Sequence, residues 1–79
     1  MTQTADKMEW LAQAIEGDLD SAGFALHARQ IREDLANSSH AQKGALLSQI
    51  DKILLLTGFV PSQREEIARE LRSLVPLLR

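Results

Sequence analysis

Cysteine is absent from this 79-residue chain, which removes disulfide stapling, thiolate catalysis and cysteine-ligated zinc together. A small secreted disulfide scaffold is therefore not expected, and the cytoplasm is the default compartment. Aromatic residues are scarce. With Trp10, Phe24 and Phe59 the only ones, the core must be built from Leu, Ile and Ala, a composition that favours helices over strands. Long apolar runs are missing as well. The longest, Ile53 to Leu56, is far below membrane-spanning length, and Met1-Thr2-Gln3-Thr4-Ala5-Asp6 has neither the basic start nor the apolar stretch of an export signal. The expectation is a soluble protein of one domain with one small core, stable only if that core packs well or the chain self-associates.

Positive charge is also in short supply. Nine basic residues face eleven acidic ones, a net −2, so the field of the molecule does not favour nucleic acid. The imbalance is local. Residues 1 to 22 carry Lys7 against Asp6, Glu9, Glu16, Asp18 and Asp20, a balance of −4 that leaves the remainder at +2.

Catalytic and cofactor signatures are missing too. His27 and His40 are the only histidines, and neither stands in a metal-ligand spacing or beside a Glu-x-x-His pattern. No Gly-x-Ser-x-Gly elbow occurs, and Gly17, Gly23, Gly44 and Gly58 are too widely spaced for a phosphate cradle. No enzyme activity, cofactor or metal is expected. A helix-turn-helix reader is disfavoured because Arg64, Arg69 and Arg72 alternate with Glu65, Glu66 and Glu70, which makes a solvated, ion-paired helix rather than a basic one.

What the chain does have is helical periodicity. Met8, Leu11, Ile15, Leu19 and Ala22 recur at spacings of three and four, which predicts an amphipathic helix over about 5–22. Gly17 weakens it, but Gly23 followed by Phe24 reads as the better terminator, a glycine beyond the helix end with a hydrophobe folding back. A second helix, about 25–37, buries Phe24, Ala28, Ile31 and Leu35. Ser39 and Gln42 read as a capping box opening a third helix over about 40–57. Its Leu46, Leu47, Ile50, Ile53, Leu54 and Leu56 cover half the circumference, so it is expected at the centre. Gly58 ends it, and Ser62 with Glu65 forms a second capping box. A fourth helix, about 63–75, buries Ile67, Leu71, Leu74 and Leu78, with a kink or an end at Pro76. The prediction is an all-α, compact four-helix bundle made of two helical hairpins. Ile15-Leu19-Gly23-Phe24 overlays Ile50-Leu54-Gly58-Phe59; duplication and convergence on glycine-capped helices both account for it.

Some residues do not belong to that core. Trp10 lies across the helical wheel from Met8 and Ile15, with Ala14, Gly17 and Ser21 beside it and Asp6, Glu9, Gln13, Glu16 and Asp20 forming an acidic stripe next to it. Tryptophan is the residue type most enriched among binding hot spots. A partner surface built on Trp10, Glu9, Gln13, Glu16 and Asp20 would suit a basic protein by charge complementarity. The competing reading makes this face structural, with small residues admitting the fourth helix and Trp10 covering the bundle end. Leu26 and Leu55 also project from polar helix sides, as a dimer seam or as ordinary exposed leucines.

The stretch Ala22-Gly23-Phe24-Ala25-Leu26-His27-Ala28-Arg29-Gln30-Ile31, with Leu35, the Ser38-Ser39 turn, an apolar third helix and a final Arg-Glu-Leu-Arg helix, resembles small all-helical immunity proteins encoded beside bacterial toxins. The resemblance spans about Leu11 to Leu78 as a pattern, and no binding residue carries over. A local stretch, His40-Ala41-Gln42 through Leu56-Thr57-Gly58-Phe59-Val60-Pro61, is similar to the C-terminal end of quorum-sensing antiactivators. Those chains stop where this one continues. Both likenesses, and phage-encoded inhibitors of host defence such as anti-CRISPR proteins, imply one mechanism: a small helical protein occludes a larger one. A homodimeric structural or assembly module is the alternative.

Overall fold

A computed structural model describes residues 3–55 and 61–78. Among these residues the fold is all-α, a four-helix bundle without strands: α1 (Gln3–Glu16), α2 (Ser21–Ala36), α3 (Lys43–Leu54) and α4 (Arg64–Leu78), the last entered through a 3-10 turn at Pro61–Gln63.

The first junction differs from the sequence expectation. The first helix stops at Glu16, not near Ala22, and Gly23-Phe24 lies in the first turn of α2. Two local interactions decide this. Asp20, in extended backbone, accepts a hydrogen bond from the Gly23 N–H at 2.7 Å, satisfying one of the orphan donors that every helix start leaves. The glycine therefore serves a beginning rather than an end. Neither Gly17 nor Gly23 takes the left-handed backbone expected of a terminator. The end of α1 is held instead by Ala14 O, which accepts from Gly17 N (3.0 Å) and Leu19 N (3.3 Å), and by Arg64 of α4. That guanidinium donates to the carbonyls of Ile15 (3.0 Å), Gly17 (3.3 Å) and Leu19 (2.7 Å).

Further boundaries shift. The third helix begins at Lys43, not His40, and its cap residue Gln42 makes no side-chain capping bond. Ser38 and His40 shape a turn instead: Ser38 Oγ donates to Leu35 O (2.7 Å) and accepts from His40 N (3.3 Å). The helix reaches Leu54, and the expected terminator Gly58 lies outside the described residues, as do Leu56 and Phe59. Ser62 sits inside the 3-10 turn, and α4 opens with Glu65 and Glu66 in its first turn, where carboxylates suit the positive end of the helix dipole. At the other end α4 runs through Pro76 to Leu78. Burial of Val75 and Leu78 keeps the last turn helical despite the missing amide.

Phe24, Ala28, Ile31 and Leu35 are buried from α2; Ile67, Leu71, Leu74 and Leu78 from α4. Leu46, Ile50 and Ile53 supply the α3 share, with Leu47 and Leu54 half-buried against them. The central helix is α1, not the apolar α3: Ala5, Met8, Leu11, Ala12 and Ile15 are all buried, and α1 meets both α2 and α4, the latter across the widest helix pairing of the fold. The small Ala5, Ala12 and Ala68, each fully buried, let backbones approach where longer side chains would hold them apart. Both α4 and α2 run antiparallel to α1: Arg64 at the start of α4 reaches the end of α1, and Lys7 near the start of α1 pairs with Asp34 near the end of α2 (2.7 Å). Arg32 and Asp51 tie α2 to α3 at 2.6 Å. Contact between α3 and α4 is the slightest of the helix pairings.

Candidate partner-binding face

The outer surface of α1 spans from a border with α2 to a border with α4, and Trp10 stands on the α2 side. Its indole is 49% exposed. The covered half meets His27 of α2 edge-on, with ring centroids 4.8 Å apart and planes at 72°, the arrangement that the quadrupole of an aromatic ring favours. Trp10, His27, Ile31, Lys7 and Gln30 line a shallow groove of about 230 Å³ between the two helices. Its Lys7 end is fixed by the pairing with Asp34. The indole thus neither belongs to the interior nor covers a bundle end; it is one wall of an open groove.

The acidic stripe is divided by the fold. Glu16 accepts a hydrogen bond from Arg72 of α4, and this bond holds its carboxyl below the usual carboxylate range while raising the guanidinium, which Glu9 also supports through its charge. Glu9 shares a recess with Arg72, Val75 and Pro76. Asp20 has left the stripe, since it caps α2. Gln13 is exposed on α1, and Ala14 is half-buried beside it. Gly17 and Ser21 do not continue a small-residue row along the helix, because α1 ends before the first and α2 begins at the second. Of the five residues singled out in the sequence, the fold keeps Trp10, Gln13, Glu9 and Glu16 on one helix surface and assigns Asp20 to a local capping role.

Sequence reasoning missed His27 as the neighbour of Trp10. Placing it needed the α1–α2 pairing, which an expected end of α1 near Ala22 concealed. It also missed Arg64 as a half-buried cation that reaches the end of α1, because alternation with glutamate made it look solvated.

A recess of about 310 Å³ lies at one end of the bundle among Thr4, Leu35, Ser38, Ser39, His40 and Leu78. His40 Nδ1 accepts from the Gln42 N–H at 3.0 Å, so the imidazole and Ser38 both serve the turn. Among the described residues no three His, Asp or Glu side chains are grouped as a metal site would require, and no helix is long and apolar enough to cross a membrane. Leu26, Leu55 and Leu77 are exposed at 56%, 81% and 46% on three different helices, α2, the end of α3 and α4. No protein-family model, curated protein or solved structure is significantly similar to the chain.

Proposed function

We propose that this chain is a non-enzymatic helical binding protein that inhibits or neutralises a larger protein by covering its working surface, in the manner of immunity proteins or phage-encoded inhibitors. The observation that supports this reading is the half-exposed Trp10 at the wall of the α1–α2 groove. An indole carries a large apolar area at little conformational cost, and a folded chain of this size gains more by burying it than by leaving it in water. An indole held beside an open groove and steadied by His27 is preorganised for a partner, which lowers the ordering cost of association. Glu9, Gln13 and Glu16 extend the same helix surface and would form the polar rim around that anchor.

Capture from lysate of the source cell with immobilised wild type and with Trp10→Ala provides the test. The variant should keep its helicity and melting temperature and lose the captured partner, a weakening of about 2 kcal/mol or more for a hot-spot residue. Equal capture by both proteins removes the proposed surface from the interaction. Light scattering after size exclusion tests the competing reading, a homodimeric assembly module built on the exposed leucines, which requires a stable dimer.

A further inference from the structure

Resting on the reading that this chain occludes a larger protein, we propose that the groove between α1 and α2 receives an arginine side chain of that partner, its guanidinium stacked on the Trp10 indole. The groove is lined by Ile31, the ring of His27 and the half-exposed Trp10; a side-chain stem would lie along the first two and its guanidinium would end on the indole. The two rings of Trp10 and His27 meet in a T-shaped contact, and Trp10 remains half exposed. Gln30 adds a side-chain amide at the margin.

Charge selects the occupant. Residues 1 to 22 carry −4, and folding brings Arg64 and Arg72 onto them, which leaves a surplus of two negative charges. The charges of α2, the groove's other wall, cancel, Arg29 and Arg32 against Glu33 and Asp34, and leave it at two. Pairing inside the molecule moves these charges without changing their total, so the two helices that form the groove carry a net negative charge that favours a cation over an anion. The Lys7 ammonium at the groove is compensated at 2.7 Å by Asp34 and does not reverse that field.

Between the two basic side chains, arginine fits better. Its guanidinium is planar, weakly hydrated and stacks on indole, whereas an ammonium is compact and gives up its water reluctantly. An anionic partner, such as nucleic acid, would meet the wrong sign.

Trp10 is the only tryptophan, so its fluorescence reports on this groove alone. Titration with a terminally blocked oligo-arginine peptide should change the emission saturably and bind roughly fivefold more tightly than an oligo-lysine peptide of equal length, the scale of a cation–π contact. Calorimetry on Trp10→Leu, which keeps an apolar side chain and removes the π face, should show that preference abolished while circular dichroism shows the fold unchanged. Equal binding of the two peptides, a preference that survives in Trp10→Leu, or no saturable change overturns the proposal. The lysate comparison keeps the two readings apart. Trp10-dependent capture with no arginine preference overturns the arginine assignment and spares the occlusion reading, whereas an arginine preference without Trp10-dependent capture supports the groove chemistry and removes the occlusion.

Discussion

Arg64 does more for this fold than its place in an alternating Arg-Glu sequence suggests. One guanidinium takes the carbonyl of Ile15, among the groups a helix C-terminus leaves without partners, together with those of Gly17 and Leu19 in the connection that follows, and it does so from the first turn of a helix almost fifty residues away. A glycine in left-handed backbone would satisfy them locally; this chain satisfies them across the α1–α4 interface, so the end of one helix and the docking of another are one event. Arg64→Ala should lower stability by about 2 kcal/mol, the usual scale for hydrogen bonds to a charged group, read as a fall in the urea midpoint. A lysine there should recover only part, because its ammonium is more strongly hydrated and gives up its water less readily than a guanidinium. A loss within the scatter of an ordinary surface substitution would mean that water replaces the guanidinium without cost.

The two other arginine pairs act on acid stability. Hydrogen bonds from Arg72 and Arg32 hold Glu16 and Asp51 below the usual carboxylate range. A carboxylate whose pKa is lower folded than unfolded binds fewer protons in the folded state, so its contribution is present above the unfolded value of about 4 and is lost as pH falls through the folded value. Both pairs are exposed, and their contribution at neutral pH is small. The double variant Glu16→Gln with Asp51→Asn should therefore melt close to wild type at pH 7 and lose less stability than wild type between pH 5 and 2. Parallel acid limbs for the two proteins would show that these pairs do not govern the decline.

At the scale of elements, the helix faces were readable and the helix ends were not. Phe24, Ala28, Ile31 and Leu35 could be assigned to the core from spacing alone, because a four-three-four rhythm has one geometric solution at 100° per residue; the same holds for Ile67, Leu71, Leu74 and Leu78. The first junction could not. Gly17 and Gly23 both offered a stop, and the choice fell to Asp20, whose carboxylate reads as one more member of an acidic stripe until it is seen to accept the Gly23 amide. The exposure of Trp10 followed from the same rhythm, whereas its contact with His27 depended on the junction and was hidden with it. At the far end, Pro76 signalled a stop that burial of Val75 and Leu78 overrides. That turn carries a cost, since proline lacks the N–H that would bond back toward Arg72 and its ring crowds the carbonyl there. Pro76→Ala should stabilise the protein by about 1 kcal/mol, less than the interior penalty because the site is in the last turn. A neutral or destabilised variant would indicate that the turn is already relaxed around the ring.

For the whole molecule the helices form a chain of unequal contacts, α4 to α1 to α2 to α3, inside an outline of 34 × 19 × 17 Å. The α1–α4 interface is wide and tied by Arg64 and Arg72, while α3 rests on α2 and touches α4 only lightly. Between α3 and α4 lies a recess of about 210 Å³ bordered by Gln49, Lys52, Ile53, Glu70, Ser73 and Leu74, polar on both helices. A helix with three buried side chains against five in α1 gives up less apolar contact when it opens, and local opening free energies follow that difference. Amide hydrogen exchange should accordingly show α3 exchanging through local opening, with protection well below the global value, while α1 and α4 exchange only with global unfolding. The proposed function is compatible with such a gradient, because the Trp10 groove lies between α1 and α2 and would keep its shape while α3 opens. Uniform protection of all four helices would instead mean that the bundle opens only as a unit and that the thin α3–α4 contact is as binding as the wide one.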